Sequence, residues 1–351
     1  MRRKRPPGWS TGSSGGFSGK GRPHDDIARG AGTGGGAART DAGTGRCDRG
    51  RWRRGRRGGR HSRCARRDRG AREKGRSRDP AGPAGRRSRL LRGVVHASDA
   101  LRDLVERGLA GLEWAHGTGG LGVSMRYALD GGGKRIRPIM CLATAEAAGA
   151  PPRAALDAAL ALELVHTFSL IHDDLPALDN DDERRGRATV HRAFGEGVAL
   201  LAGDALLVAA LRLAATYEDP AVIRVLADAT AGMIGGQYLD ITDPDVDPAL
   251  LHRLKTGRLF GAAIGLGLAV AGLDESEQTP WHAFADDFGL LFQIVDDLLD
   301  DDGYVARIGS DATRALGAVT LGRARVNLDG IEADTSVLRE IVEAVASRIR
   351  L

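Results

Sequence analysis

The chain has few of the residues that stabilise proteins through covalent or metal cross-links. Its 351 residues include only three cysteines, Cys47, Cys64 and Cys141. Their spacing matches neither a disulfide framework nor a zinc site, which excludes both as the basis of the fold. So few cysteines are also typical of a reducing compartment, and we expect a cytoplasmic protein.

Long apolar runs and aromatic side chains are scarce as well. The longest apolar stretch, residues 259–273, has 15 residues and is interrupted by glycine. A membrane-spanning helix needs roughly 20, so we expect a buried helix there and no stable membrane insertion. No apolar run follows Met1, so a signal peptide is not expected. Phe, Trp and Tyr make up 4% of the chain, which leaves few platforms for stacking bases.

Charge divides the chain into two parts. Residues 1–92 contain 28 Lys and Arg against 7 Asp and Glu, whereas residues 93–351 contain 23 against 39. The first part is mostly Gly, Arg and Ser and cannot bury enough apolar surface to offset its chain entropy. We therefore predict a disordered Arg/Gly-rich extension over 1–92. It is either an arm that binds RNA or membranes or a non-functional addition, and the scarcity of aromatics favours the addition.

From residue 94 onward the sequence has helical spacing. A capping residue stands before proline at Asp219-Pro220, Asp247-Pro248 and Thr279-Pro280, and each pair predicts the start of a helix. Runs of β-branched residues bounded by hairpin turns are absent. We predict an all-α bundle of roughly eight to twelve helices.

Two clusters of aspartates follow strongly apolar helical segments. The first, in HDDLPALDNDDERRG, contains Asp173, Asp174 and Asp179 after a helix predicted over 154–171. The second, in FQIVDDLLDDDG, contains Asp296, Asp297 and Asp300. Spacings of three and four residues predict that the second set projects from one side of a helix.

Carboxylates this close repel one another, and a hard dication relieves that repulsion. Mg²⁺ prefers oxygen ligands and is typically held by one or two carboxylates together with substrate phosphates. Two such clusters on facing helices would hold a diphosphate between them.

Basic residues near these clusters could bind the phosphate groups. The Gly-rich turn GGGKRIRP carries Lys134 and Arg137 beside glycines that permit close backbone approach. Arg184 and Arg185 directly follow the first acidic cluster. They either neutralise that cluster or bind phosphate.

Three further polar residues and one aromatic stand at informative places. Lys255 and Thr256 offer an ammonium and a hydroxyl group before the apolar stretch, and Gln237 interrupts an otherwise apolar helix. Phe168 lies five residues before Asp173, deeper in the apolar segment. Its ring either forms the floor of a cavity or packs in the core.

These motifs together resemble those of a known family. GGGKRIRP, HTFSLIHDDLPALDNDDERRG, GGQYLDI, KTG and FQIVDDLLD occur in the order found in trans-isoprenyl (polyprenyl) diphosphate synthases. The chain looks most like the bacterial farnesyl/geranylgeranyl diphosphate synthases. The resemblance covers about residues 95–345 and implies a catalytic domain over 93–351 with an isoprenoid synthase-type helical bundle around a central cavity. It also implies a homodimer with three Mg²⁺ ions.

The implied reaction joins isopentenyl diphosphate to an allylic diphosphate, dimethylallyl or geranyl. In the similar branch an aromatic residue at the place of Phe168 accompanies short products, which favours C15 over C20 and C10.

The resemblance also assigns roles to residues. The magnesium ligands would be Asp173, Asp174, Asp179, Asp296, Asp297 and Asp300. The allylic diphosphate would contact Arg184, Lys255, Thr256 and Gln237. The isopentenyl diphosphate pocket would consist of Lys134, Arg137, His166 and Arg185. Catalysis would depend on Asp173, Asp174, Asp179, Arg184, Lys255 and Asp296.

The chain departs from the family pattern after its second acidic motif. The family has a longer loop there that carries a lysine expected to contact the allylic diphosphate, whereas here Asp302-Gly303 leads directly into residues 304–309, which resemble the following helix. An impaired or non-catalytic homologue is therefore one alternative. A terpene cyclase is another, although it needs no isopentenyl pocket and usually carries a different second metal motif.

Overall fold

The computed structural model describes residues 98–114, 118–243 and 245–349. The predicted disordered extension over 1–92 lies outside these residues, as does the start of the catalytic domain at 93. Within them the chain folds as a bundle of helices, so the predicted all-α class is confirmed.

Thirteen α-helices occur in the described part of the chain, and three of them are only five residues long. They are α1 (Ser98–Ala110), α2 (Leu121–Leu129), α3 (Ile136–Ala147), α4 (Leu156–Asp173), α5 (Val190–Phe194), α6 (Glu196–Ala214), α7 (Pro220–Thr242), α8 (Pro248–His252), α9 (Arg258–Ala271), α10 (Thr279–Asp300), α11 (Tyr304–Ile308), α12 (Ser310–Asp329) and α13 (Ser336–Ala346). A π-helical turn, Arg253–Gly257, joins α8 to α9.

Two of the three predicted helix starts are confirmed. The Asp219 side chain caps α7 by accepting a hydrogen bond from Ala221 N at 2.8 Å. Asp247 caps α8 in the same way through Ala249 N at 3.2 Å. The third helix, α10, begins one residue early, because Gln278 occupies the cap position and Thr279 is already helical.

One short hairpin lies among the helices of the described residues. Strand β1 (Glu183–Arg184) pairs antiparallel with β2 (Arg187–Ala188). Arg185 and Gly186 form the turn, both with positive φ, at 55° and 76°. Strands of two residues carry no alternation of apolar and polar side chains, which is why the sequence pattern did not indicate them.

The core is built around α4 and α9. Every residue of α4 from Ala158 to Val165 is buried, and α4 packs against α3, α6 and α9. The predicted buried helix over 259–273 is confirmed as α9, which is buried from Ala262 to Leu268. A Cβ at Gly267 would lie 2.7 Å from the carbonyl oxygen of Cys141, so glycine there permits close packing of α9 on α3.

By length and composition alone, three helical stretches in the described part of the chain are apolar enough to cross a membrane: Pro152–Asp173, Glu196–Ala214 and Pro248–Ala271. An average over a helix tolerates the isolated charges that interrupt a continuous run, so run length alone did not indicate them. Glu196–Ala214, which is α6, is only 33% buried over its most apolar window. Leu200, Leu201 and Val208 form an exposed apolar face on this helix.

Candidate active site

The first acidic cluster lies where α4 ends. Asp173 is the last residue of α4 and Asp174 is its C-cap. Asp179 N donates to Asp173 O at 2.9 Å, which closes the following loop onto the helix end. Asp174 is buried and accepts two hydrogen bonds from Arg184, at 2.6 Å from Nη2 and 2.8 Å from Nε. Asp173 lines one cavity, whereas Asp174 and Arg184 line another.

Asp173 is costly to keep ionised in this position. Burial raises the pKa of Asp173 to about 6, the charge of Lys255 opposes this rise, and the charge of Asp179 adds to it. A cation bound at this carboxylate would favour its charged form and recover the cost.

A cavity of about 390 Å³ opens beside Asp173. Its polar lining comes from separate elements: Arg137 of α3, His166 of α4, Gln237 of α7, and Lys255 and Thr256 of the π-helical turn. Its apolar lining includes Phe168, Leu178, Met233, Ile234, Ile241 and Leu259. A charged head group and an apolar chain would both find complementary surface here.

Three of the four residues predicted to bind the allylic diphosphate, Lys255, Thr256 and Gln237, line this cavity, whereas Arg184 lines a second one. Lys255 Nζ donates to Asp240 Oδ2 at 2.9 Å, which holds the ammonium group against α7. Both amide atoms of Gln237 are buried, and neither has a hydrogen-bond partner within the described ranges. An unsatisfied buried polar group costs about 1–3 kcal/mol. A ligand that forms hydrogen bonds with the Gln237 amide would remove this cost.

The residues predicted to form the isopentenyl diphosphate pocket lie beside the Gly-rich turn. Arg137 stacks on the ring of Phe260, with 4.3 Å from its guanidinium carbon to the ring centroid, and burial lowers the pKa of Arg137 to about 10. Arg185 donates to the carbonyl oxygen of Gly132. Burial and the nearby arginines, Arg137 and Arg185 first among them, lower the pKa of His166 well below its usual range. Cations thus surround a neutral imidazole, an arrangement that favours an anion.

The second acidic cluster is divided by the fold. Asp296 is 37% exposed and pairs with Arg348, which follows α13, at 3.0 Å. Burial raises the pKa of Asp296, and Arg348 opposes that rise. Asp300 ends α10 and is exposed. Asp297 is the buried member of the three carboxylates that were predicted to project from one side of a helix.

Asp297 instead stabilises the short turn that follows α10. Its carboxylate accepts hydrogen bonds from Tyr304 N at 2.9 Å and from Gln293 Nε2 at 2.7 Å. Gly303 in this turn has a φ of 52°, and a Cβ there would lie 2.3 Å from Asp297 Oδ2. The tight turn therefore requires glycine at 303.

Both acidic clusters lie near Arg137. Asp173 and Arg137 line the same cavity, and the charge of Asp296 acts on both Arg137 and Lys134. No group of three His, Cys, Asp or Glu side chains within residues 98–114, 118–243 and 245–349 lies close enough to hold a metal ion by itself. This arrangement suits Mg²⁺, which takes one or two carboxylates and completes its shell with phosphates and water.

Sequence reasoning missed three contributors to the site. Arg348 lies 52 residues from Asp296, and no motif connects the two. Phe260 supplies the ring beneath Arg137 from within an apolar helix, where it looks like any core residue. Gln293 links Asp297 to Thr256, whose Oγ1 donates to Gln293 Oε1 at 3.0 Å. Its place four residues before Asp297 is the one signal that could have indicated it.

Comparison with known proteins identifies the family. The family model described as polyprenyl synthetase matches residues 121–314. The chain belongs to the trans-isoprenyl (polyprenyl) diphosphate synthase family. It is 41% identical over 213 residues to a farnesyl diphosphate synthase from Geobacillus stearothermophilus, covering 56% of this chain and 72% of that one.

Members of this prenyltransferase family are named for different products. A geranylgeranyl diphosphate synthase from Cyanophora paradoxa is 46% identical over 192 residues, covering 50% of this chain and 64% of that one. The chain therefore spans just under two thirds of that relative. A solved geranyltransferase from Legionella pneumophila is similar with a TM-score of 0.66 and 31% identity, covering 72% of this chain and 97% of that one.

The cost of ionising Asp173 leads to a test that needs no substrate. A carboxyl group whose pKa is raised on folding contributes stability below its unfolded pKa of 3.8 and loses that contribution as the pH rises through about 6. At pH 8 with metal chelated, Asp173→Asn should therefore raise the free energy of unfolding by about 1–3 kcal/mol. The gain should shrink as the pH falls from 6 to 4.

Urea denaturation of the two proteins at pH 8 and pH 4.5 measures this difference. The exposed Asp228 of α7 supplies the matched control, because Asp228→Asn removes a charge without removing a buried one. A loss of stability in Asp173→Asn at pH 8 would contradict the account of this carboxylate.

Proposed function

We propose that this polyprenyl synthetase family member is a magnesium-dependent prenyltransferase. It joins isopentenyl diphosphate to an allylic diphosphate. The observation that carries the proposal is the lining of one cavity: Asp173, Lys255 and Arg137 provide charged groups at a space otherwise walled by apolar side chains. A substrate with a diphosphate head and a hydrocarbon chain matches both parts.

The residues present fit the metal that the family requires. Asp173 and Asp179 of the first cluster and Asp296 and Asp300 of the second would hold Mg²⁺. When bound, the ions would act as Lewis acids on the departing diphosphate. That Asp174 and Asp297 also ligate metal stays a prediction, and so does the number of ions.

The protein's own groups would then do the following. Lys255 and Arg184 stabilise negative charge on the diphosphate as the allylic C–O bond breaks. The apolar wall of the cavity excludes water from the resulting allylic cation. Arg137, Arg185 and Lys134 hold isopentenyl diphosphate so that its double bond attacks, a C–C bond forms, and a proton leaves to an oxygen of the released diphosphate.

The two alternative functions are a terpene cyclase and an impaired prenyl synthase homologue. A terpene cyclase would have no use for the cationic groups, Arg137 and Arg185, that lie near His166. An impaired homologue is favoured by the short turn at Gly303, which carries no lysine. The cytoplasmic location stays a prediction in either case.

The purified full chain, incubated with isopentenyl and dimethylallyl diphosphates and Mg²⁺, should release a prenyl diphosphate that mass spectrometry identifies. Asp173→Ala and Asp296→Ala should each lower turnover by about a hundredfold or more, the scale of losing several kcal/mol of charge stabilisation. Asp228→Ala is the control. No product from the parent protein would favour the impaired homologue, whereas hydrocarbons formed from farnesyl diphosphate alone would favour a cyclase.

The product length is proposed as C15. Support comes from Phe168, which is 5% exposed and lines the cavity one and a half helical turns from Asp173. Relatives named for farnesyl and for geranylgeranyl diphosphate both match this chain, so kinship alone does not select between the lengths.

Shortening the side chain at this position tests the proposed length. Phe168→Ala should move the product from C15 toward C20 or longer, because the ring no longer blocks the growing chain. Phe168→Tyr keeps the ring and should keep the C15 product. An unchanged product from Phe168→Ala would place the floor elsewhere.

A homodimer formed through α6 is also proposed. The exposed apolar face of α6 supports it: Leu200, Leu201 and Val208 are 48%, 54% and 56% exposed, and Val123 of the neighbouring helix α2 is 65% exposed. Exposed apolar side chains on adjacent helices are typical of an interface. A relative from Arabidopsis thaliana is named as the large subunit of a heterodimer, so members of the family associate in pairs.

Charge introduced into this face should separate the subunits. Leu201→Glu should halve the mass measured by light scattering during gel filtration, because a carboxylate cannot be buried unpaired at the interface. Val326→Glu on α12, at a residue that is 67% exposed, should leave the mass unchanged. The reverse pattern would place the interface on α12, and an unchanged mass in both would contradict the α6 proposal.

A further inference from the structure

Two rings that line the cavity contact each other edge to face. Phe168 and His172 both line the cavity and lie one helical turn apart on α4. Their ring centroids are 5.4 Å apart, with the planes at 86°, an edge-to-face contact. The imidazole therefore covers one side of the phenyl ring and limits where that ring can turn.

His172 is in turn fixed by α6. Its Nε2 lies 3.1 Å from the carbonyl oxygen of Leu200, within hydrogen-bond distance, and 3.9 Å from Asp204 Oδ1. Both partners flank Gly203 on α6. The imidazole thus bridges the two helices at the point where they approach each other.

Gly203 provides the space into which this imidazole fits. A Cβ at Gly203 would lie 2.2 Å from His172 Nε2 and 2.5 Å from Cδ2, too close for any real contact. Alanine there would force the imidazole to move. Gly197 lies on the same helix, and a Cβ at that position would meet nothing within 4 Å. Gly197 is exposed in the first turn of α6, whereas Gly203 is buried against α4, so only Gly203 contacts the imidazole.

We propose that His172, seated against Gly203, is a positioning residue that holds the Phe168 ring across the cavity and so sets the longest prenyl chain that fits. This inference rests on the proposed function for its substrate, a prenyl diphosphate, and on the packing for its mechanism. The volume of the Phe168 ring limits the length of the prenyl chain. His172 and Gly203 act on this length indirectly, by keeping the ring in position. A wider limit is thus expected from a substitution on α6 that does not itself line the cavity.

The matched pair Gly203→Ala and Gly197→Ala tests the proposal. In Gly203→Ala the ratio of C20 to C15 product should rise about fivefold, the discrimination that one edge-to-face ring contact provides. Gly197→Ala should keep the parent ratio. The ratio is the decisive readout because a merely structural defect would lower the rate without changing product length.

Binding tests the same inference without turnover. Calorimetry with farnesyl and geranylgeranyl diphosphates should show that the C20 compound loses its disadvantage in Gly203→Ala and keeps it in Gly197→Ala. If the parent chain makes no prenyl product, the proposed function fails, while this comparison still decides whether the His172 seat limits chain length.

A second variant covers the case in which Gly203→Ala does not fold. His172→Ala keeps the glycine, removes the supporting ring, and should shift both the product ratio and the binding preference toward C20. Parent-like ratios in every variant that folds, by both readouts, would overturn the proposal.

Discussion

The structure depends on how a group of carboxylates is kept at the edge of an apolar cavity. Asp173 and Asp174 end a helix that is buried along most of its length, so their charges leave the core at a single point. Arg184 neutralises Asp174 directly, at 2.6 Å. The charges of Lys255 and Arg184 offset only part of the effect of burial on Asp173, and the pKa of Asp173 rises to about 6. A cation bound at Asp173 would favour its ionised form and so offset the cost of burial.

In the second cluster, other groups of the protein stabilise the carboxylates. Arg348 pairs with Asp296, and backbone and side-chain donors from Tyr304 and Gln293 satisfy Asp297. The short turn at Gly303 is possible because Asp297 anchors it. The turn therefore decides which carboxylates stay available: Asp296 is partly exposed and Asp300 is exposed, whereas Asp297 is engaged by the turn.

The sequence predicted much of this arrangement because its signals are local. Each of these signals depends on residues within one or two helical turns. They are the caps at Asp219 and Asp247, the apolar run of α9 and the acidic end of α4. The β1–β2 hairpin and the inward position of Asp297 were not predictable in this way. The hairpin is too short to show alternation, and Asp297 turns inward because of a turn that forms after α10 has ended.

Contacts between residues far apart in the chain also could not be predicted from the sequence. Arg348 reaches Asp296 only because α13 packs against α10, and His172 meets Gly203 only because α4 packs on α6. Spacing along the chain carries no information on such contacts. The sequence identified which residue types the chemistry needs, whereas the packing shows which of them are held, paired or left facing the cavity.

The central claim is that Asp173 faces this cavity in order to bind a diphosphate through a cation. Calorimetric titration of inorganic pyrophosphate into the full chain, with Mg²⁺ and then with chelator, tests it most directly. The account predicts binding that requires Mg²⁺ and is lost in Asp173→Asn. Pyrophosphate binding that is equally tight without Mg²⁺, or unchanged in Asp173→Asn, would contradict it.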